Sequence, residues 1–171
     1  MEQRNTSVFV NALTWGIIVG LISIVYSVIL YMLDKVFNQA LGYLAFIIII
    51  AGMAIAVKNY RDTVLDGQIA FGKAFGFGVL LALFSSILGA IYNYLLYTVI
   101  DPDLQQKMLE VVAERMLEQG VPEGQIDQGL EISKKFMNPV ITSLSAVFIG
   151  TLIGTIIALV IAAIFKKEET V

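Results

Sequence analysis

The sequence predicts an all-α, polytopic membrane protein with four transmembrane helices and an extramembrane helical hairpin between helices three and four. The first observation is the placement of charge. The 11 basic and 14 acidic residues all lie outside four long apolar segments, at about 8–33, 36–57, 74–100 and 138–165. An apolar stretch of roughly 18 or more residues can cross the hydrocarbon core of a bilayer as a helix. The second observation is composition, because 58% of the 171 residues are hydrophobic, against about 45–50% in an average soluble domain.

These segments leave room for a single membrane domain, residues 1–171, without a separate catalytic domain. The apolar run of the first segment is far longer than the roughly 7–15 residues of a signal peptide. We therefore expect the first segment to be retained as a helix. The chain has neither His nor Cys, so disulfides, thiolate metal sites and thiol chemistry are excluded.

Residues 101–137 are predicted to form the amphipathic helical insert. Asp101 and Pro102 resemble an N-cap followed by proline at the first helical position. Gly120 is predicted to end this helix, and Pro122 to open a second one. An apolar stripe at helical spacing comprises Leu104, Met108, Val111, Val112 and Met116. The insert has eight acidic and four basic residues, and an acidic surface argues against nucleic acid binding.

The basic residues predict the orientation of the spans. With four spans, both termini and the loop between spans two and three share one side of the membrane. That side carries Arg4, Lys58, Arg61, Lys73, Lys166 and Lys167. Short basic segments are retained in the cytoplasm, so we predict a multi-pass protein with cytoplasmic N- and C-termini.

Small residues recur at every fourth position of the predicted spans. Span four has Thr142, Ala146, Gly150, Gly154, Ala158 and Ala162, span three has Ala74, Gly78, Ala82, Ser86 and Ala90, and span one has Ala12, Gly16 and Gly20. Spacing of four keeps these residues on one face of a helix, and close backbone approach drives association in lipid. The pattern favours packing within one bundle, and a homodimer seam is compatible with it.

Two further groups of residues are candidate binding sites. Lys58, Arg61 and Lys73 are predicted near headgroup level, where they would contact lipid phosphates, although the positive-inside rule explains them equally well. Spans three and four meet at their outer ends, where a polar pocket is expected to contain Tyr92, Asn93, Tyr97 and Asn138. The alternative for this second group is an aromatic belt with hydrogen bonds between helices.

Three motifs carry a resemblance to a known family: Tyr-Arg-Asp at 60–62, Gly-x-Ile-x-Phe-Gly-x-Ala-Phe-x-x-Gly at 67–78, and Asp-Pro at 101–102. The chain resembles, from Gly16 to Lys167, the small four-span membrane proteins of Bacteroidota known as domain of unknown function 4199. The resemblance implies a bacterial inner-membrane location and a helical insert before the last span. It transfers no catalytic residue. It implies an envelope glycosyltransferase acting on polyprenyl carriers as a partner, because members are often encoded beside such enzymes.

The sequence bears on three classes of function. The favoured one is a non-enzymatic accessory or scaffold subunit of an envelope complex, with membrane lipids and another membrane protein as partners. The alternative is a small transporter or channel for a lipidic or small solute, which would usually need charged or unwound elements at mid-membrane. An enzyme would need an acid, base, nucleophile or metal set. Only Asp62, Asp66, Asp101 and Asp103 lie near membrane level, and their spacing fits caps and loops. We therefore expect no catalytic, metal or cofactor site.

Overall fold

The computed structural model describes residues 7–167, so Arg4 lies outside the described residues. Six α-helices follow one another in this part of the chain: α1 (Val8–Met32), α2 (Gln39–Val64), α3 (Phe71–Leu95), α4 (Leu104–Glu118), α5 (Glu123–Phe136) and α6 (Pro139–Phe165). Four stretches of helix are long and apolar enough to cross a membrane, namely Val8–Met32, Gln39–Val64, Phe71–Ile100 and Pro139–Phe165. The predicted fold class is therefore confirmed.

Local sequence sets the ends of the first helices. Ser7 precedes α1, and its hydroxyl accepts a hydrogen bond from the Phe9 amide at 3.2 Å. Asn38 caps α2 in the same way, accepting from the Leu41 amide at 3.1 Å. The second helix runs to Val64, well beyond the apolar segment that ends at 57. Hydropathy marks the part of a helix that can lie in hydrocarbon, and the helix itself continues through polar residues that are also compatible with helical structure.

The third membrane helix ends in an irregular turn. After Leu95 the chain makes a π-helical turn from Leu96 to Ile100. The Asp101 amide closes it by donating to the Leu96 carbonyl at 2.8 Å. The wider π turn is a known deviation at the end of a helix, and nothing in the apolar composition of this segment predicts it.

The chain forms two compact units. The bundle unit comprises residues 7–89 and 147–167 of the described chain, and the hairpin unit comprises Ala90–Ala146. In the bundle unit the core is built from α1, α2, α3 and α6. The Tyr60 ring stacks on the Phe77 ring with centroids 4.5 Å apart, which joins α2 to α3. Met53 of α2 is fully buried and lies close to both Gly78 of α3 and Gly154 of α6.

In the hairpin unit, α4 and α5 are joined through a Schellman motif. Gly120 has a φ of +78°, and its amide donates to the Leu117 carbonyl at 2.9 Å. The Val121 amide donates to the Met116 carbonyl at 3.0 Å. These are the two hydrogen bonds that satisfy the last carbonyls of a helix. The predicted stop at Gly120 is confirmed, and α5 begins directly after Pro122.

The start of α4 differs from the sequence prediction. The helix begins at Leu104, and its N-cap residue is Asp103, whose side chain makes no capping hydrogen bond. The Asp101 carboxylate instead accepts from the Lys107 ammonium at 3.0 Å. This ion pair engages the carboxylate that was expected to cap the helix. The apolar stripe also differs, because Leu104 and Leu109 are buried while Met108 is 43% exposed.

Candidate functional site

Small residues join α3 to α6 within the bundle unit. Gly78 faces Ala158, where an added Cβ would lie 2.7 Å from the Ala158 Cβ. One turn further along, Gly154 faces Ala82, and after another turn Gly150 faces Ser86. The contacts recur every four residues on both helices and run in opposite directions along them, so α3 and α6 are antiparallel. Ala146, the remaining residue of the candidate packing set on α6, belongs to the hairpin unit and is half-buried.

The glycines of α1 face α3. A Cβ at Gly16 would lie 2.6 Å from the Phe84 Cβ and 3.0 Å from the Leu81 carbonyl oxygen. One turn later, a Cβ at Gly20 would lie 3.0 Å from a Leu88 methyl group. Because the Leu81 contact is to backbone, a side chain at Gly16 could be admitted only if the helices moved apart. These positions therefore act as structural contacts of the bundle, without polar chemistry.

The three candidate headgroup residues are in different situations. Arg61 is engaged within the protein: its Nε donates to the Asp62 carboxylate at 2.7 Å, and its Nη1 donates to the Phe165 carbonyl at 3.3 Å. Its guanidinium also lies 5.8 Å from the centroid of the Phe165 ring. Lys58 and Lys73 are exposed. Arg61 thus caps the C-terminal carbonyl of Phe165 in α6, and a cation is favourable at this end of a helix.

A second connection holds the same end of α6. Ile69, in the loop between α2 and α3, and Lys167 form an isolated antiparallel bridge in which each amide donates to the other's carbonyl at 3.0 Å. Ile69 is buried, with 2% of its surface exposed. Sequence reasoning missed this bridge, because no local signal pairs residues that far apart in the chain.

The four residues of the expected polar pocket differ in exposure. Tyr92, Asn93 and Tyr97 are half-buried, whereas Asn138 is exposed. The Asn138 side chain accepts from the Val140 amide at 2.9 Å and so caps the start of α6. None of these four residues lines the cleft that the hairpin unit does contain.

That cleft lies between α4 and α5 and has a volume of about 500 Å³. Its polar lining consists of Gln105, Gln106, Glu110 and Lys134, and its apolar lining includes Leu109, Leu130 and Met137. The Gln105 amide donates to the Thr142 hydroxyl at 3.3 Å, and the Gln106 amide donates to the Glu110 carboxylate at 3.5 Å. Sequence reasoning placed acids and bases on the hairpin but could not pair a residue of α4 with one of α5.

Among residues 7–167 no group of three or more His, Cys, Asp or Glu side chains is placed to hold a metal ion. The arrangement that the described residues do offer is non-covalent: close helix packing in the bundle unit and a mixed polar and apolar cleft in the hairpin unit.

Among the comparisons with known proteins, one protein family matches the chain. No curated protein and no solved structure matches the chain. The family described as "Protein of unknown function (DUF4199)" matches residues 14–167. This range covers the first candidate span from residue 14 onwards, the other three candidate spans in full, and the whole hairpin unit. The chain is therefore a multi-pass membrane protein that belongs to the DUF4199 family.

Proposed function

We propose that the protein is a non-enzymatic accessory subunit of an envelope complex, and that α5 of the hairpin unit supplies its contact with another membrane protein. Ile132 and Phe136 carry this proposal. They are one helical turn apart on α5, and 59% and 64% of their surfaces are exposed. Large apolar side chains exposed together on an otherwise charged helix are typical of interaction sites.

The surroundings of these two side chains fit a protein partner. Glu131 and Lys135 alternate with them along α5 and are exposed, which provides a polar rim around the apolar contact. Interfaces with an apolar centre and a polar rim are typical of specific protein–protein contacts. The partner we propose is an envelope glycosyltransferase that acts on polyprenyl carriers, in keeping with the neighbourhood of family members.

The orientation proposed for the complex places both termini in the cytoplasm of a bacterial inner membrane, with the hairpin unit outside. The exposed bases Lys58, Lys73, Lys166 and Lys167 support it, because short basic segments remain in the cytoplasm. The natural chain has no Cys, so single cysteines report the orientation. In cells with a permeabilised outer membrane, Glu118→Cys should react with an impermeant maleimide and Lys166→Cys should not. The reverse pattern would refute this orientation.

The partner contact is tested by native purification of the full chain from its own membranes, with a photoreactive amino acid at position 132. We expect a discrete protein adduct, and at least a tenfold loss of the copurified protein in the Ile132→Ser, Phe136→Ser double variant. Leu117→Ser is the matched control, because Leu117 is also an exposed apolar residue of the hairpin but lies on α4. Recovery of the protein alone, or equal loss in the control, would contradict the proposal and favour the transport alternative.

A further inference from the structure

The cleft between α4 and α5 has the dimensions of a ligand site. Its volume of about 500 Å³ falls within the roughly 300–1,000 Å³ of small-molecule pockets. On α4, Gln105 and Leu109 lie one turn apart on the face that lines the cleft, and on α5 Leu130 and Lys134 do the same. The two helices therefore each present apolar and polar side chains to the same space.

The charges of the cleft are separated. Glu110 and Lys134 both line it and both are exposed, and neither takes part in the salt bridges seen among residues 7–167. The Glu110 carboxylate accepts one long hydrogen bond, from Gln106 at 3.5 Å. A cation at the end of α5 is favoured by the helix dipole, but the dipole does not account for an acid and two amides lining the same cleft.

The cleft is also close in sequence to two membrane spans. Its lining begins at Pro102, which only Asp101 separates from the end of the third span at Ile100. Its last lining residue is Met137, which only Asn138 separates from the start of α6. The chain within a residue or two of a span end lies at the level of lipid headgroups. A headgroup in the adjacent leaflet is therefore within reach of this cleft.

We propose that the cleft binds the phosphoethanolamine headgroup of a membrane lipid. Lys134 would pair with the phosphate and Glu110 with the primary ammonium, since each charged group then gains an opposite charge and a hydrogen-bonding partner. The amides of Gln105 and Gln106 can donate to phosphate oxygens. Leu109 and Leu130 would contact the glycerol and the first methylenes of the acyl chains, which contribute favourable apolar burial.

The separated charges also provide selectivity. Phosphatidylglycerol has the same phosphate but a neutral glycerol in place of the ammonium, so it would leave Glu110 without an opposite charge. A choline headgroup has the positive charge but no N–H to donate to the carboxylate. Unpaired or repelled charges are a strong means of discriminating between ligands, so phosphatidylethanolamine should be preferred over both. This inference goes beyond the accessory role and uses residues other than Ile132 and Phe136.

The test measures lipid retained by the full-length protein, purified from vesicles of equal phosphatidylethanolamine, phosphatidylglycerol and phosphatidylcholine and analysed by native mass spectrometry. Wild type should retain phosphatidylethanolamine at least fivefold over either other lipid. Lys134→Gln and Glu110→Gln should each lower its retention about tenfold. The matched controls Lys135→Gln and Glu114→Gln change exposed charges next to Lys134 and one turn from Glu110, outside the cleft. They should stay within twofold of wild type.

A gain of function makes the test independent of any loss of folding. Glu110→Lys converts the cleft to two bases and should shift the preference to phosphatidylglycerol. Free O-phosphoethanolamine at millimolar concentration should not displace the lipid, because it lacks the apolar contacts. Equal retention of the three lipids by wild type, equal losses in controls and cleft variants, no shift in Glu110→Lys, or displacement by free O-phosphoethanolamine would each overturn the proposal of a lipid site.

Discussion

Glycines at the helix contacts of the bundle unit have surroundings opposite to those of the glycines within α5 of the hairpin unit. In the bundle unit, Gly16, Gly78 and Gly154 each face an atom of a neighbouring helix that an added Cβ would meet at less than 3.0 Å. In the hairpin unit, Gly124 and Gly129 have nothing within 4 Å of that position. These three bundle glycines therefore allow helices to approach, whereas Gly124 and Gly129 only make their own helix more flexible.

The difference reflects the solvent of each unit. In lipid, burying apolar surface gives no preference for a neighbouring helix over an acyl chain, so attraction depends on how closely backbones approach. In water, α4 and α5 gain from burying Leu104, Leu109 and Ile126, and glycine lowers helix stability by about 0.5–1 kcal/mol relative to alanine. Glycine at a close helix contact and glycine at an open helical position are therefore expected to respond to substitution with opposite sign.

The largest effect is expected for Gly154→Leu. The new side chain would have to occupy the space of Ala82 on α3, and overpacking of a close contact costs of the order of 3 kcal/mol. The measurement is the free energy of unfolding, or the melting temperature, of the purified protein in detergent. Gly76→Leu is the matched control, because Gly76 lies on α3 with open space around it and should change the unfolding free energy by less than about 0.5 kcal/mol. Equal stability of the two variants would mean that α3 and α6 do not approach closely at this point.

Gly120→Ala is expected to have an intermediate and local effect. Its φ of +78° is required by the turn between α4 and α5, and an L-residue in the left-handed region costs about 1–2 kcal/mol. Hydrogen exchange followed by mass spectrometry should show faster exchange of the amides at positions 120 and 121 than in the wild type, with exchange in α1 unchanged. Unchanged exchange at this turn would show that the Schellman motif does not limit the stability of the hairpin.

The smallest effect is expected for Gly129→Ala, and it is a gain. Gly129 lies in α5 without a neighbour near its Cα hydrogens, so alanine should stabilise that helix by about 0.5–1 kcal/mol. The same exchange experiment should show slower exchange along α5. A loss of protection instead would reveal a close neighbour of Gly129 and would remove the contrast between the two units.

Much of the fold follows from the sequence because its signals are local. Runs without charge predict the four membrane helices, and the turn chemistry of Gly120 and Pro122 predicts the join between α4 and α5. The predicted start of α4 was wrong, because the Asp101 carboxylate, which can cap a helix, can also pair with a lysine such as Lys107. The periodic small residues indicate which face of α6 is suited to close contact, and the structure shows Gly154 of that face against Ala82.

The candidate sites follow from the sequence less well, because they depend on residues that are distant in the chain. Arg61 has the chemistry of a headgroup ligand, yet its guanidinium donates to the Phe165 carbonyl at the end of α6. Glu110 and Lys134 are unremarkable charges of a hairpin until folding brings both to one cleft. A pattern within one helix can predict the face of a residue, but it cannot predict which residue of another helix lies opposite.

The bridge between Ile69 and Lys167 has a consequence for the register of the bundle. If α6 slid by one turn along α3, small residues would again meet small residues, because both stripes repeat with the same period. The repeat by itself permits several nearly equivalent registers. The bridge joins Ile69, two residues before α3, to Lys167, two residues after α6, and it can form in only one of these registers. Two backbone hydrogen bonds at the rim thereby select a single register for the whole helix pair.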